Sequence, residues 1–82
     1  MLNVKEISTK PFEDAEQVFE TDHPELRYAV VSQRAVGFYE SVDDYDDNAA
    51  LWVAWFEGDK PADLVAFIRD QVARAEEAVG EQ

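Results

Sequence analysis

The sequence predicts a small α+β domain in the order β-α-β-β-β-α, with a mainly antiparallel sheet of three or four strands packed by two amphipathic helices. Three observations carry that expectation. Short segments rich in β-branched and aromatic residues alternate apolar with polar side chains. Apolar residues recur at helical spacing over the last quarter of the chain. Two Trp, three Tyr and five Phe among 82 residues supply the bulk for one core. Residues 1–82 read as a single acidic domain, without an internal linker or low-complexity tract.

Leu2 to Ile7 alternates loosely, as a half-buried strand does. Thr9-Lys10-Pro11 then reads as a helix start. Pro suits a first turn, and Glu13, Asp14 and Glu16 complement the positive end of the helix dipole. Phe12, Ala15 and Phe19, at i, i+3 and i+7, give that helix one apolar stripe. It should end near Thr21, because Pro24 disfavours helical geometry at His23.

Arg27 to Ser32 and Ala35 to Glu40 are β-rich and read as a hairpin around Gln33-Arg34. That pair lacks the Gly, Asn or Asp that two-residue hairpin turns prefer, so a longer loop or one bent strand is the alternative. Gly37 inside the second run marks a bulge or a close backbone approach. Ser41 to Asn48 reads as a polar loop.

Ala49 to Glu57 is the strongest strand signal in the chain. Leu51, Val53 and Trp55 point one way, and Trp52, Ala54 and Phe56 the other. Apolar residues on both faces predict a central strand covered on each side, one cover being either the core or a partner. Gly58-Asp59-Lys60-Pro61 ends it and opens the last helix, with Asp59 or Lys60 at the cap position. Leu64, Ile68, Val72, Ala75 and Val79 form that helix's apolar stripe, flanked by Val65 and Phe67. Asp70 and Arg74 pair on its outer side. Gly80 is a natural terminator, and residues 80–82 should fray.

Composition removes several classes of function. Without cysteine there is no disulfide, no thiolate chemistry and no zinc site needing Cys ligands. A secreted domain this small usually carries such staples, which favours the cytoplasm. The first residues lack the basic and apolar regions of a signal peptide. The apolar run from Ala49 to Phe56 is far shorter than the ~20 residues of a membrane-spanning helix. Nineteen acidic residues against seven basic ones give a formal charge of −12. Direct binding of nucleic acid or an anionic membrane is therefore disfavoured, and a protein with a basic surface is the expected partner.

Catalytic groups are scarce. His23, between Asp22 and Pro24, could act as a general base oriented by Asp22 or Glu25, but it has no cysteine to activate. None of Ser8, Ser32 or Ser41 stands in a nucleophile-elbow context, so a surface-loop histidine is the plainer reading. If Asp44 opens an EF-hand-like loop, Asp46 and Asn48 fit the third and fifth positions. Ala49 and Trp55 then replace the required Gly and Glu, so no metal site is expected. Gly37, Gly58 and Gly80 are too far apart for a phosphate loop. No cofactor and no catalytic residue is expected, and the chain is read as not an enzyme.

The functional expectation is a non-enzymatic module that binds another protein's basic surface, as an inhibitor would. Asp43, Asp44, Tyr45, Asp46 and Asp47 would lead, with Tyr39, Glu40 and Trp52 beside them. A nucleic-acid mimic is the first alternative. In an extended stretch Asp44 and Asp46 would lie ~6.6 Å apart. Asp63, Asp70, Glu77 and Glu81 would recur along the outer face of the last helix, where seven residues span ~10.5 Å. A halophile domain whose acidity serves solubility alone is the second alternative. A homodimer through Ala49 to Glu57 is the further expectation if one face of that strand stays open.

Overall fold

The computed structural model describes the backbone of residues 2–80 and the side chains of residues 2–78. Its strands are β1 (Val4–Ile7), β2 (Gln17–Thr21), β3 (Tyr28–Val31), β4 (Ala35–Tyr39) and β5 (Trp52–Trp55). Its helices are α1 (Val42–Asp46) and α2 (Leu64–Gly80). The strands follow one another across a five-stranded sheet, β1-β2-β3-β4-β5, and every neighbouring pair is antiparallel. The α+β class matches the sequence, but the sheet is larger than expected and only one helix is long.

The helix expected over residues 11–21 is instead a compact turn followed by β2. Phe12 N–H donates to the Thr9 carbonyl at 2.8 Å, Ala15 N–H to the Phe12 carbonyl at 3.2 Å, and Asp14 takes a φ of 68°. That left-handed residue stops any helix. Val18 and Phe19, adjacent in sequence, are both buried but in different apolar clusters. Adjacent side chains reach opposite faces only from an extended backbone. The shared spacing of Phe12, Ala15 and Phe19 was a coincidence of composition.

The expected loop from Ser41 to Asn48 contains α1. Ser41 Oγ caps it by accepting the Asp44 N–H at 3.2 Å, and Asp43 and Asp44 occupy its first turn. Asn48, at φ 61°, closes it. Its N–H donates to the Tyr45 carbonyl at 3.1 Å and that of Ala49 to the Asp44 carbonyl at 2.8 Å, the Schellman arrangement. The hairpin at Gln33-Arg34 is a two-residue connection, with Ser32 N–H donating to the Ala35 carbonyl at 2.9 Å. Neither central residue has positive φ, so this is not one of the mirror-image turns that demand Gly or Asn.

α2 begins at Leu64, four residues beyond Lys60. Asp63 caps it in place of Asp59 or Lys60, its Oδ1 accepting the Ala66 N–H at 3.0 Å. Gly80 is still helical; the fraying expected at 81 and 82 lies outside the described residues. Ile68, Val72 and Ala75 bury against Phe19, Ala29, Val31, Val36 and Phe38, so one face of the sheet is sealed. The other face is covered only in part. Phe12 plugs it beside Val18 and Val30, with Tyr28, Tyr39, Val42 and Tyr45 packed around.

Candidate interaction surface

β5 is an edge strand, not the central strand its apolar residues predicted. Trp52 and Phe56 join the core under α2, and Ala54 is buried. Val53 and Trp55 face the other way and are 46% and 69% exposed. Leu51 departs from their face: it precedes the strand, donates its N–H to the Phe38 carbonyl at 2.8 Å, and lines a cavity on the α2 side. Phe56 N–H donates to the Arg34 carbonyl at 2.8 Å. Because alternate residues of a strand turn their backbone groups to alternate sides, Ala54 also faces β4. Val53 and Trp55 therefore present N–H and C=O outward, where no strand follows among the described residues.

Beside Val53 lies an open groove of about 460 Å³, floored by Val30, Ala35 and Gly37 and walled by Ala15, Tyr39 and Tyr45. Gly37 leaves room there for the Tyr39 ring, which folds back over it. A Cβ would stand 3.0 Å from that ring. Tyr45 meets Tyr39 edge-to-face at 5.2 Å and Phe12 at 5.3 Å, and Phe12 meets Tyr28 at 5.2 Å. The Tyr45 hydroxyl donates to the Glu13 carbonyl at 2.6 Å, tying α1 to the 9–16 turn.

The groove's charge is one-sided. Glu13, Asp14 and Asp46 line it, and neither Lys nor Arg does. Most basic residues are engaged elsewhere: Lys5 with Glu20 at 3.5 Å, Lys60 with Glu16 at 3.7 Å and Arg74 with Asp70 at 2.9 Å. Arg69 donates to the Leu2 carbonyl at 3.1 Å. Burial raises the pKa of the Tyr39 phenol above its ordinary value. Tyr45 is raised by burial first, then by Tyr39 and the carboxylates of Asp14, Asp46 and Glu13.

The residues expected to bind a partner are not one cluster. Tyr39, Tyr45 and Asp46 share the groove. Glu40, Asp43 and Asp47 are exposed around α1, while Asp44 is half-buried in its first turn. Since α1 is helical, Asp44 and Asp46 do not form the extended row the mimic expectation required. Trp52 lies on the opposite face, half-buried, its Nε1–H donating to Gln71 Oε1 at 3.1 Å. Trp55 is the exposed tryptophan. Sequence reasoning missed it because it assigned β5 a cover on both faces.

His23 borders the α2-side cavity of about 280 Å³ with Leu26, Leu51, Trp52 and Ala75. Its Nδ1 accepts the Glu25 and Leu26 N–H groups at 3.1 and 3.0 Å, and its Nε2 meets Glu76 Oε1 at 3.0 Å. Two amide donors require Nδ1 to be unprotonated, so Nε2 carries the proton toward Glu76. Neither nitrogen is left for a substrate, and the partner carboxylate is Glu76 rather than Asp22 or Glu25. Asp22 instead grips Asn3, accepting from its backbone and side-chain nitrogens at 3.0 Å each. Among the described residues no three carboxylates or imidazoles converge on a metal position, and no helix is long and apolar enough to cross a membrane.

No protein family, no curated protein and no solved structure that was compared matches this chain.

Proposed function

We propose that the chain is a non-enzymatic protein-interaction module that holds a partner of basic character against β5 and the adjoining groove. By occupying that partner's basic surface it acts as an inhibitor. A cysteine-free module of this kind suits the cytoplasm. The observation that carries the reading is Trp55, 69% exposed on an unpaired strand edge beside a groove with carboxylates and no cation. Monomeric proteins normally blunt such an edge with Lys, Pro or a bulge. β1, the other edge strand, follows that habit, with Lys5 and Glu6 exposed on it.

The test compares wild-type protein with Trp55→Lys, immobilised and presented to the same cell extract. The substitution leaves the ladder to β4 intact and places a cation where a basic partner would sit. Partners retained by the wild type should be lost from the variant. Identical retention by both would place the interface elsewhere. Release by added DNA would instead favour the nucleic-acid-mimic reading.

A further inference from the structure

Resting on the reading that β5 is the binding face, we infer that its occupant is an extended segment of another protein. That segment adds a further strand to the sheet and alternates Lys or Arg with apolar residues. The backbone supplies the first argument. Val53 and Trp55 turn their N–H and C=O groups outward on an edge with no strand beyond it among the described residues. A peptide in β conformation satisfies both residues at once, about 4.8 Å away.

The side chains supply the second argument. An added strand also alternates its residues between the two faces of the sheet. On the groove face a basic residue can lay its aliphatic stem over Val53 and its charged head over the Trp55 ring, a favourable cation–π geometry. Beyond Val53 lies its cross-strand partner Gly37, over which the Tyr39 ring is folded, so the stem meets a second aromatic surface at the mouth of the groove. The groove beyond holds Glu13, Asp14 and Asp46. On the α2 face the neighbours are the half-buried Trp52 and Phe56, which favour an apolar residue.

Charge selects among occupants. A second copy of this chain would bring another formal −12 against the same carboxylates. A basic strand is attracted by them. Nucleic acid is repelled and offers no backbone able to complete a β ladder.

The experiment uses the full chain and a synthetic peptide of alternating Arg and Val, with a second peptide of the same sequence N-methylated at alternate residues. Amide hydrogen exchange and chemical shifts are followed by NMR. Strand addition slows exchange at Val53 and Trp55 by about tenfold or more, while amides already paired inside the sheet change little. Affinity falls as salt is raised, and N-methylation abolishes it despite unchanged charge. Equal binding of the N-methylated peptide, with the Trp55 indole perturbed, keeps the face but overturns strand addition. No binding by either peptide also overturns it, and the Trp55→Lys capture comparison then judges the face alone. Protection of Val53 and Trp55 without peptide, rising with protein concentration, would assign the edge to a second copy and overturn the proposal.

Discussion

The Tyr45 hydroxyl donates to the Glu13 carbonyl at 2.6 Å across 32 residues of sequence. It joins the short helix α1 to the turn that carries Phe12. α1 has five residues and no fully buried one, so it cannot persist by local helix propensity. Its capping bonds and this tether hold it on the sheet. Tyr45→Phe keeps the aromatic contacts and removes only the bond. The expected loss is about 1 kcal/mol in urea-induced unfolding, at the low end because water reaches the freed carbonyl. An unchanged midpoint would mean that the bond contributes nothing in solution.

Alkaline pH tests the same tyrosine through its proton. Burial raises both Tyr39 and Tyr45, and nearby carboxylates add to the effect at Tyr45. An unfolded tyrosine ionises at about pH 10. Below that, both states keep the proton and the contribution to stability is constant. Above it the unfolded chain binds fewer protons than the folded one, so stability falls as pH rises through the folded-state values. Urea unfolding from pH 8 upward should show this decline, and it should be shallower in Tyr39→Phe/Tyr45→Phe. Parallel curves for the two proteins would contradict the shifts.

Phe12 should be the most costly single truncation on the open face. It is 1% exposed, meets Tyr45 edge-on and packs against Tyr28 at a tilt. Phe12→Ala should cost about 3–5 kcal/mol, against a total expected at roughly 4–12 kcal/mol for a chain this size. Phe12→Leu should cost clearly less, since most of the volume is kept. Thermal or urea unfolding of both variants measures this. If Ala and Leu are equally mild, the 9–16 turn is not anchored by Phe12.

Phe12 also shows where the sequence was legible and where it was not. β1, β3, β4, β5 and α2 follow from alternation and helical spacing within single segments. The turn at 9–16 does not. Pro11, the early acids and the Phe12–Ala15–Phe19 spacing satisfy a helix pattern locally, and what defeats it is tertiary. Val18 and Phe19 must serve two faces of a sheet that exists only after β1 and β3 pair with β2. α1 had a readable signal, Ser41 three residues before Asp44 in a capping pattern, hidden by the run of acids that resembled a loop. The position of β5 was illegible for a different reason. Apolar residues on both faces mark a strand that wants two covers, and no local pattern says whether the second comes from its own chain.

His23 should behave as a turn-forming acceptor, not as an acid–base group. Its Nδ1 takes two backbone N–H groups, one from the buried Leu26, while Thr21 closes the same turn by donating to the Leu26 carbonyl at 2.6 Å. His23→Ala leaves both amides without an acceptor and should cost about 1–3 kcal/mol. Asn can offer its side-chain oxygen to amides two and three residues on, the geometry of an Asx turn. His23→Asn should therefore recover most of that loss, though it gives up the contact with Glu76. Unfolding midpoints and exchange rates at the Glu25 and Leu26 amides separate the two variants. Equal damage from Ala and Asn would shift the weight of this residue from the turn to its contact with Glu76.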